Sequence, residues 1–215
     1  MKILLISDKV SPILYNENID KNPRLKDIDL ILSAGDLPFY YYDFLVSNLN
    51  VPLYFVFGNH VRKSDEEFEK SPKSFKYMGG FKNIDEKVIN AGGLLIAGLE
   101  GSYKYNNKKY QYTEKEMRFK ILKLIPRLIS NKIRYGRFLD ILVVHSPPHG
   151  IIEVAENDLA HRGFKVFNTF MKKYKPFYLI HGHIHIYGSG NNKSYEYYNT
   201  QIINAYGYRI LEITL

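Results

Sequence analysis

Short apolar runs separated by turn residues recur along the chain and predict the buried strands of an α/β protein. They lie at residues 3–6, 28–32, 53–57, 94–97, 141–144 and 178–180. Residues 201–204 and 208–213 alternate apolar and polar side chains instead, which indicates antiparallel strands on one side of a sheet. Several runs lead within a few residues into Asp, Asn or His, so polar groups are expected to gather at the carboxyl ends of the strands.

Helical periodicity predicts the remaining elements. Thr113 and Glu116 have the spacing of a capping box, and the apolar residues from 117 to 128 repeat with a helical period that Pro126 is expected to kink. Further helices are predicted at 163–174, around 41–49 and at 18–26, and a surface loop with one helical turn at 61–80. No linker, repeat or charge block divides the chain, so we expect one domain over residues 1–215.

Composition narrows the class of protein. Of the 215 residues, 45% are hydrophobic and 24% are charged, as in globular proteins. No apolar run reaches the ~18 residues of a membrane span, and the apolar start ends at Asp8 without a cleavage site, so we expect a cytoplasmic protein with no membrane partner. The net charge of +8 is compatible with nucleic-acid binding, but the lysines are spread along the chain, and compositional bias is the favoured explanation.

Candidate metal ligands occur in five short motifs in a fixed order. The motifs are Asp8, Gly35-Asp36, Gly58-Asn59-His60, His145 and Gly182-His183-Ile184-His185, and they contain four of the seven histidines. Each motif alone is common in turns. Together, carboxylates, a carboxamide and imidazoles form a ligand set that suits manganese, iron or zinc, and the chain has no cysteine to compete with them.

This ordered set of motifs resembles the calcineurin-like metallophosphoesterases, and the resemblance runs from Asp8 to His185. It implies an α/β fold, a four-layer αββα sandwich of two mixed β-sheets flanked by helices. It also implies an enzyme with two divalent metal ions (Mn, Fe or Zn) that hydrolyses phosphate mono- or diesters, with a metal-bridging hydroxide as the nucleophile.

The resemblance further assigns a role to each residue. Asp36 would bridge the two ions, and His60 would protonate the leaving oxygen or stabilise the charge of the phosphoryl group. The other ligands divide into two sets: Asn59, His145 and His183 would complete one site, and Asp8 and His185 would form the other. The glycines Gly35, Gly58 and Gly182 would let the backbone turn tightly and bring each ligand in.

Two positions depart from the family pattern. The first motif usually reads Asp-x-His, whereas Val10 stands here in place of the histidine. Because valine cannot bind a metal, the Asp8 site is expected to be weaker unless Tyr15, His149 or a water molecule replaces the missing ligand. The second departure is at residue 61, directly after His60. An acidic residue is common at this position of the family pattern, whereas this chain has Val61, so His60 lacks a carboxylate next to it in sequence.

Substrate contacts are predicted on the loops between the motifs. His149 follows two prolines that stiffen its loop, and Arg162 precedes a predicted helix whose first amides favour anions. Both are candidates for contact with a substrate phosphate, and the alternative for each is an exposed loop residue. The Tyr- and Lys-rich segment 102–112 either borders the active site or is an ordinary polar loop, and His181 is expected to pack in the core.

The leading hypothesis is a phosphoesterase that acts on a small phosphorylated substrate. A nuclease is possible but not favoured, because the chain has no obvious added domain to hold a duplex. The alternative from another class is a catalytically reduced metal-binding scaffold that binds protein or nucleic acid, which Val10, Val61 and the positive charge motivate. The oligomeric state has no signal in the sequence.

Overall fold

Two mixed β-sheets stacked face to face form the centre of the molecule. The computed structural model describes residues 1–70, 80–106, 108–152, 158–186 and 194–214. The first sheet has five strands in the order β13-β1-β2-β3-β4, and only β13 runs antiparallel to its neighbour. Its strands are β1 (Lys2–Ser7), β2 (Leu30–Ser33), β3 (Leu53–Phe55), β4 (Phe81–Asn83) and β13 (Gly207–Glu212).

The second sheet has six strands in the order β11-β12-β10-β9-β6-β5, with four parallel strands between two antiparallel edges. They are β5 (Val88–Ala91), β6 (Leu94–Leu99), β9 (Ile141–Val144), β10 (Tyr178–His181), β11 (Tyr195–Tyr197) and β12 (Thr200–Asn204). A separate ribbon pairs β7 (Ser102–Tyr103) with β8 (Gln111–Tyr112).

Helices cover the outer face of each sheet and complete the four layers. They are α1 (Phe39–Leu49), α2 (Lys63–Lys70), α3 (Glu114–Tyr135) and α4 (Lys165–Tyr174). One apolar cluster fills the space between the sheets, with buried residues such as Leu5, Val143 and Ile180. A second cluster lies under α1, and a third joins α3 and α4 to the second sheet. The sandwich fold predicted from the motifs is therefore confirmed.

The predicted helices have mixed outcomes. The capping box of Thr113 and Glu116 is present, and α3 continues through Pro126 to Gly136, which ends it in the left-handed conformation. The helix predicted at 18–26 is wrong, because only a 3₁₀ turn forms at Ile19–Lys21. Asn22 is extended there, as expected for a residue that precedes a proline.

The two predicted C-terminal strands exist but do not pair with each other. Strand β12 lies parallel to β10 in the second sheet, whereas β13 lies antiparallel to β1 in the first. The chain therefore crosses between the sheets at residues 205 and 206. In the segment predicted as a loop at 61–80, α2 occupies Lys63–Lys70, and residues 71–79 lie outside the described ranges. None of the helices within those ranges is long and apolar enough to cross a bilayer.

Candidate metal centre

The predicted ligands meet where the carboxyl ends of the two sheets lie side by side. Asp8 follows β1, Asp36 follows β2 and Asn59 follows β3 in the first sheet, whereas His145 follows β9 and His183 follows β10 in the second. Parallel strands bring their carboxyl ends to one edge, which is where α/β proteins place their sites. Ligand atoms of Asp8, Asp36 and His145 all lie within 4.8 Å of one another.

Three ligand atoms converge around the Nε2 atom of His145. This nitrogen lies 3.0 Å from Oδ1 of Asn59, 3.1 Å from Nδ1 of His183 and 3.3 Å from Oδ2 of Asp36. His145, His183 and Asn59 are buried. Ligands held about 2.1 Å from a shared ion are roughly 3.0–3.4 Å apart, so the separations fit a common cation.

Backbone carbonyls fix the tautomers of both imidazoles. Nδ1 of His145 donates to the carbonyl of Ala34 at 2.7 Å, and Nε2 of His183 donates to the carbonyl of Ala160 at 2.8 Å. Each ring therefore turns its other nitrogen toward the same point. A histidine that binds a metal usually donates its second N–H in this way, and the contact fixes the ring and makes it a better ligand. The donor set thus fits a divalent metal.

Left-handed backbone positions three of the predicted ligands. The φ angles are 61° for Asp8, 57° for Asp36 and 65° for His183. This region is sparsely populated by residues other than glycine, and strained positions cluster at functional sites. The carboxylate of Asp8 accepts the backbone N–H of His183 at 3.0 and 3.1 Å, and Oδ1 of Asp36 accepts the backbone N–H of His60 at 2.8 Å. These hydrogen bonds link the motifs directly.

Glycine is required at Gly58 because there is no space for a side chain. A Cβ atom there would lie 2.1 Å from Oδ1 of Asp36 and 2.6 Å from Cε1 of His145. Gly35 has both constraints, since its φ of 103° is one that other residues rarely adopt and a Cβ atom there would lie 2.6 Å from the backbone nitrogen of Gly58. The predicted role of these glycines is thus met in two ways.

The ionisation of the cluster places a positive charge among carboxylates. Burial opposes charge on Asp36, but the charge and hydrogen bond of His145 lower the pKa of Asp36 to about 2. Burial likewise opposes charge on His145, yet Asp36 and Asp8 raise the pKa of His145 to about 9. Burial and the neighbouring charge of His145 lower the pKa of His183 to about 3. A divalent cation would supply the same charge at this point, so the electrostatics also fit a metal.

The second predicted set of ligands is less complete. Nε2 of His185 lies 3.8 Å from Oδ1 of Asp8, and the side chain of His185 is 45% exposed. Val10 packs against the apolar cluster under α1. Tyr15, one predicted replacement for the missing histidine, packs against the rings of Tyr40, Tyr41 and Phe44. The structure therefore shows no substitute from Tyr15.

Contacts on the rim involve residues that the motifs did not identify. The carboxamide of Asn59 donates to the hydroxyl of Tyr105 at 3.1 Å, so part of the segment 102–112 does border the site. His161 packs its ring 4.7 Å from the ring of His183, and its Nδ1 lies 2.7 Å from Oδ2 of Asp158. His181 is buried, as predicted.

Changing Tyr105 to phenylalanine is expected to weaken metal binding by about tenfold, because groups that orient a ligand contribute this much to affinity. Its hydroxyl holds the carboxamide of Asn59 so that Oδ1 faces His145. Titration calorimetry of the variant with Mn²⁺ or Zn²⁺ gives the measurement, and Tyr103→Phe is the control on the same segment. Equal affinities for the two variants would refute the orienting role.

The two predicted phosphate contacts, Arg162 and His149, are hydrogen-bonded to each other, and the helix start that follows them needs one correction. The guanidinium of Arg162 lies 4.4 Å from the ring centre of Tyr103, and its Nε is buried without a hydrogen-bond partner in the described part of the chain. Nδ1 of His149 is bonded to the carbonyl of Arg162 at 2.9 Å. The start of α4, predicted to favour a phosphate, already binds the carboxylate of Glu114 through the amides of Lys165 and Val166.

His60 lies on the open side of the centre. It lines a small cleft of about 20 Å³ together with Asp36, Arg62 and Asp65. A much larger cavity of about 920 Å³ lies at the amino ends of the second sheet, where Leu94 and Tyr178 begin their strands and Gln201 is the second residue of β12. Because it lies at the opposite edge from the ligands, it is not part of the metal centre.

Comparison with known proteins agrees with this architecture. A model of the family described as calcineurin-like phosphoesterase matches residues 1–187. One solved structure aligns with a TM-score of 0.65 at 14% identity, over 98% of this chain and 94% of the other. A second, TT1561 of Thermus thermophilus, aligns with a TM-score of 0.63 at 14% identity, over 95% and 88%. None of the curated proteins matches the sequence. At these identities the solved structures show a shared fold alone.

Proposed function

Because the chain belongs to the calcineurin-like phosphoesterases, we propose that it hydrolyses phosphate esters of small molecules at the metal centre described above. One observation carries this proposal. Three ligand atoms lie 3.0–3.3 Å from Nε2 of His145, and backbone carbonyls hold both imidazoles with the second nitrogen of each ring toward the same point. Such an arrangement is expected of a site built to bind a metal.

The proposed division of ligands is the one that the family resemblance implies. Asn59, His145 and His183 would hold one ion, and Asp8 and His185 would hold a second, with Asp36 between them. Bound divalent ions would lower the pKa of water and neutralise charge on the phosphoryl oxygens. The same donor atoms suit manganese, iron or zinc.

Groups around the ligands would act on the substrate itself. His60 is exposed beside Asp36, and its backbone is fixed by the hydrogen bond to that carboxylate. We assign to its imidazole the donation of a proton to the leaving oxygen. The Nε of Arg162 has no hydrogen-bond partner among the described residues. It would donate to a phosphoryl oxygen, because an unpaired buried donor gains most from an ionised acceptor. His149 would position Arg162, because Nδ1 of His149 is hydrogen-bonded to the backbone carbonyl of Arg162.

The function is tested by adding one metal at a time to protein freed of metal with a chelator. Calorimetry gives the number of ions bound, and hydrolysis is followed with p-nitrophenyl phosphate as a monoester, bis(p-nitrophenyl) phosphate as a diester and a single-stranded oligonucleotide. We expect two ions per chain and metal-dependent hydrolysis of at least one aryl ester. One ion or none, with no turnover of any ester, would favour the metal-binding scaffold. Preferential cleavage of the oligonucleotide would favour a nuclease.

Changing Val10 to histidine restores the Asp-x-His pattern. The more weakly bound ion is expected to bind at least about tenfold more tightly, which corresponds to roughly 1.4 kcal/mol. The added imidazole would provide the ligand that the Asp8 site lacks. Titration calorimetry, analysed with two binding sites per chain, gives the affinity of each ion. Val51→His is the matched control, because Val51 is partly buried against the same apolar cluster. An unchanged second affinity in Val10→His would argue against a two-ion centre at this position.

A further inference from the structure

Helix α3 carries an apolar stripe on the face that points away from the core. The stripe consists of Phe119, Leu122, Pro126, Ile129 and Ile133, all exposed to solvent. The exposed fraction is 55% for Phe119, 48% for Leu122, 49% for Ile129 and 83% for Ile133. The opposite face of the same helix buries Met117, Ile121, Leu124 and Leu128 in the core. The residues of the outer stripe therefore take no part in packing the core.

The spacing of the stripe is that of a helix-packing seam. Successive members are three, four, three and four residues apart, which is the a/d pattern of a heptad repeat. At 100° per residue the stripe covers roughly 80° of the helix surface, narrower than the faces of 100° or more by which helices pack onto a globular core. From Phe119 to Ile133 it extends roughly 21 Å along the helix. A second helix is the partner that this pattern fits best.

The charge beside the stripe restricts what that second helix can be. Six exposed cations lie on α3: Lys115, Arg118, Lys123, Arg127, Lys132 and Arg134. Of these, Lys123 is paired with Glu86 at 2.6 Å. The two acids of the helix are engaged elsewhere, Glu116 in the capping box and Glu114 at the start of α4. A second copy of α3 would place cations against cations, and like charges across a helix interface oppose pairing. Complementarity instead requires acidic residues on the partner.

We propose that the outer face of α3 binds an amphipathic helix of a partner protein, with apolar residues at heptad a and d positions and acidic residues beside them. An anionic membrane is the other surface that a basic, partly apolar helix can bind. The narrow stripe and the absence of tryptophan from the chain favour the protein helix. This interaction is independent of the metal centre.

The probe for this proposal is a labelled synthetic peptide of three heptads, with Leu at a and d and Glu at e and g. Fluorescence anisotropy at low ionic strength is expected to show binding to the full chain. A second peptide with Lys at e and g should bind at least about tenfold more weakly. The double variant Leu122→Ser with Ile129→Ser should lose at least about tenfold in affinity, since burial of such side chains contributes more than 1.4 kcal/mol.

The matched control is Ile13→Ser with Phe177→Ser, because these residues are exposed to similar degrees, 54% and 57%, outside α3. Thermal unfolding verifies that both double variants fold. The proposal is overturned if the acidic peptide fails to bind, or binds the stripe variant as well as it binds the control. It is also overturned if light scattering shows a dimer that the stripe variant abolishes, or if only vesicles of phosphatidylserine bind the stripe.

Discussion

Changing Asp36 to asparagine is expected to lower metal-dependent hydrolysis of an aryl phosphate ester by about 10³-fold or more, the scale on which removal of a preorganised electrostatic group acts. The carboxylate of Asp36 lies 3.3 Å from His145 and accepts the backbone N–H of His60. Asparagine keeps the size and the acceptor oxygen but removes the charge. The variant should therefore fold while it binds the proposed pair of ions poorly.

Two controls separate this effect from a loss of structure. Asp43→Asn removes a carboxylate from the exposed face of α1 and should leave hydrolysis unchanged. The thermal midpoint of Asp36→Asn, measured with a chelator present, tests whether the fold survives. If Asp36→Asn hydrolysed the ester at the rate of Asp43→Asn, Asp36 could not be a central ligand and the proposed function would fail.

The location of the candidate metal centre could be predicted from sequence because the candidate ligands follow buried strands. Each motif comes after a run of apolar residues, and parallel strands bring such positions to one edge. The groups that orient the ligands had no such signal. Ala34 and Ala160 contribute only backbone carbonyls, which every residue has, and Tyr105 reaches Asn59 from a ribbon 46 residues away.

The same limit applies to the pairing of strands and the occupancy of helix ends. Alternation at 201–204 and 208–213 indicates which face of a strand is covered but not which strand lies beside it. It therefore predicts two antiparallel strands on one side of a sheet, whereas β12 and β13 belong to different sheets. The start of α4 has the amides that bind an anion, but Glu114, from 51 residues earlier, already occupies them. Long-range partners of this kind are set by packing, which a local pattern does not contain.

Lys120 is a further residue that the periodic pattern could not explain. It lies among the buried residues of α3, and its ammonium is 2.7 Å from Asp85, 3.2 Å from Glu86 and 3.4 Å from Glu100. It also lies 4.5 Å from the ring centre of Tyr112, whose hydroxyl donates to Glu100 at 2.6 Å. One ammonium thus lies close to three carboxylates, and its side chain is only 9% exposed.

Changing Lys120 to methionine is expected to destabilise the fold by about 3 kcal/mol, because removal of one partner leaves buried charges uncompensated. For a chain of this size the loss corresponds to a fall of roughly 6–12 °C in the thermal midpoint. Lys123→Met is the matched control: Lys123 also pairs with Glu86, but it is 62% exposed, so its loss should cost at most about 1 kcal/mol.

The dependence on pH distinguishes this charge effect from a simple loss of packing. Burial and the charge of Asp85 raise the pKa of Glu100 from 4.5 to about 7. Because the folded state therefore holds this proton more tightly than the unfolded state does, the stabilisation from protonated Glu100 is complete below pH 4.5 and is lost as the pH rises through 7. Removal of the ammonium should raise the pKa of Glu100 further, since Lys120 favours the ionised carboxylate. The deficit of Lys120→Met should therefore be larger near pH 8 than near pH 5. A deficit independent of pH, or no larger than that of Lys123→Met, would show that Lys120 stabilises the fold only through its aliphatic chain.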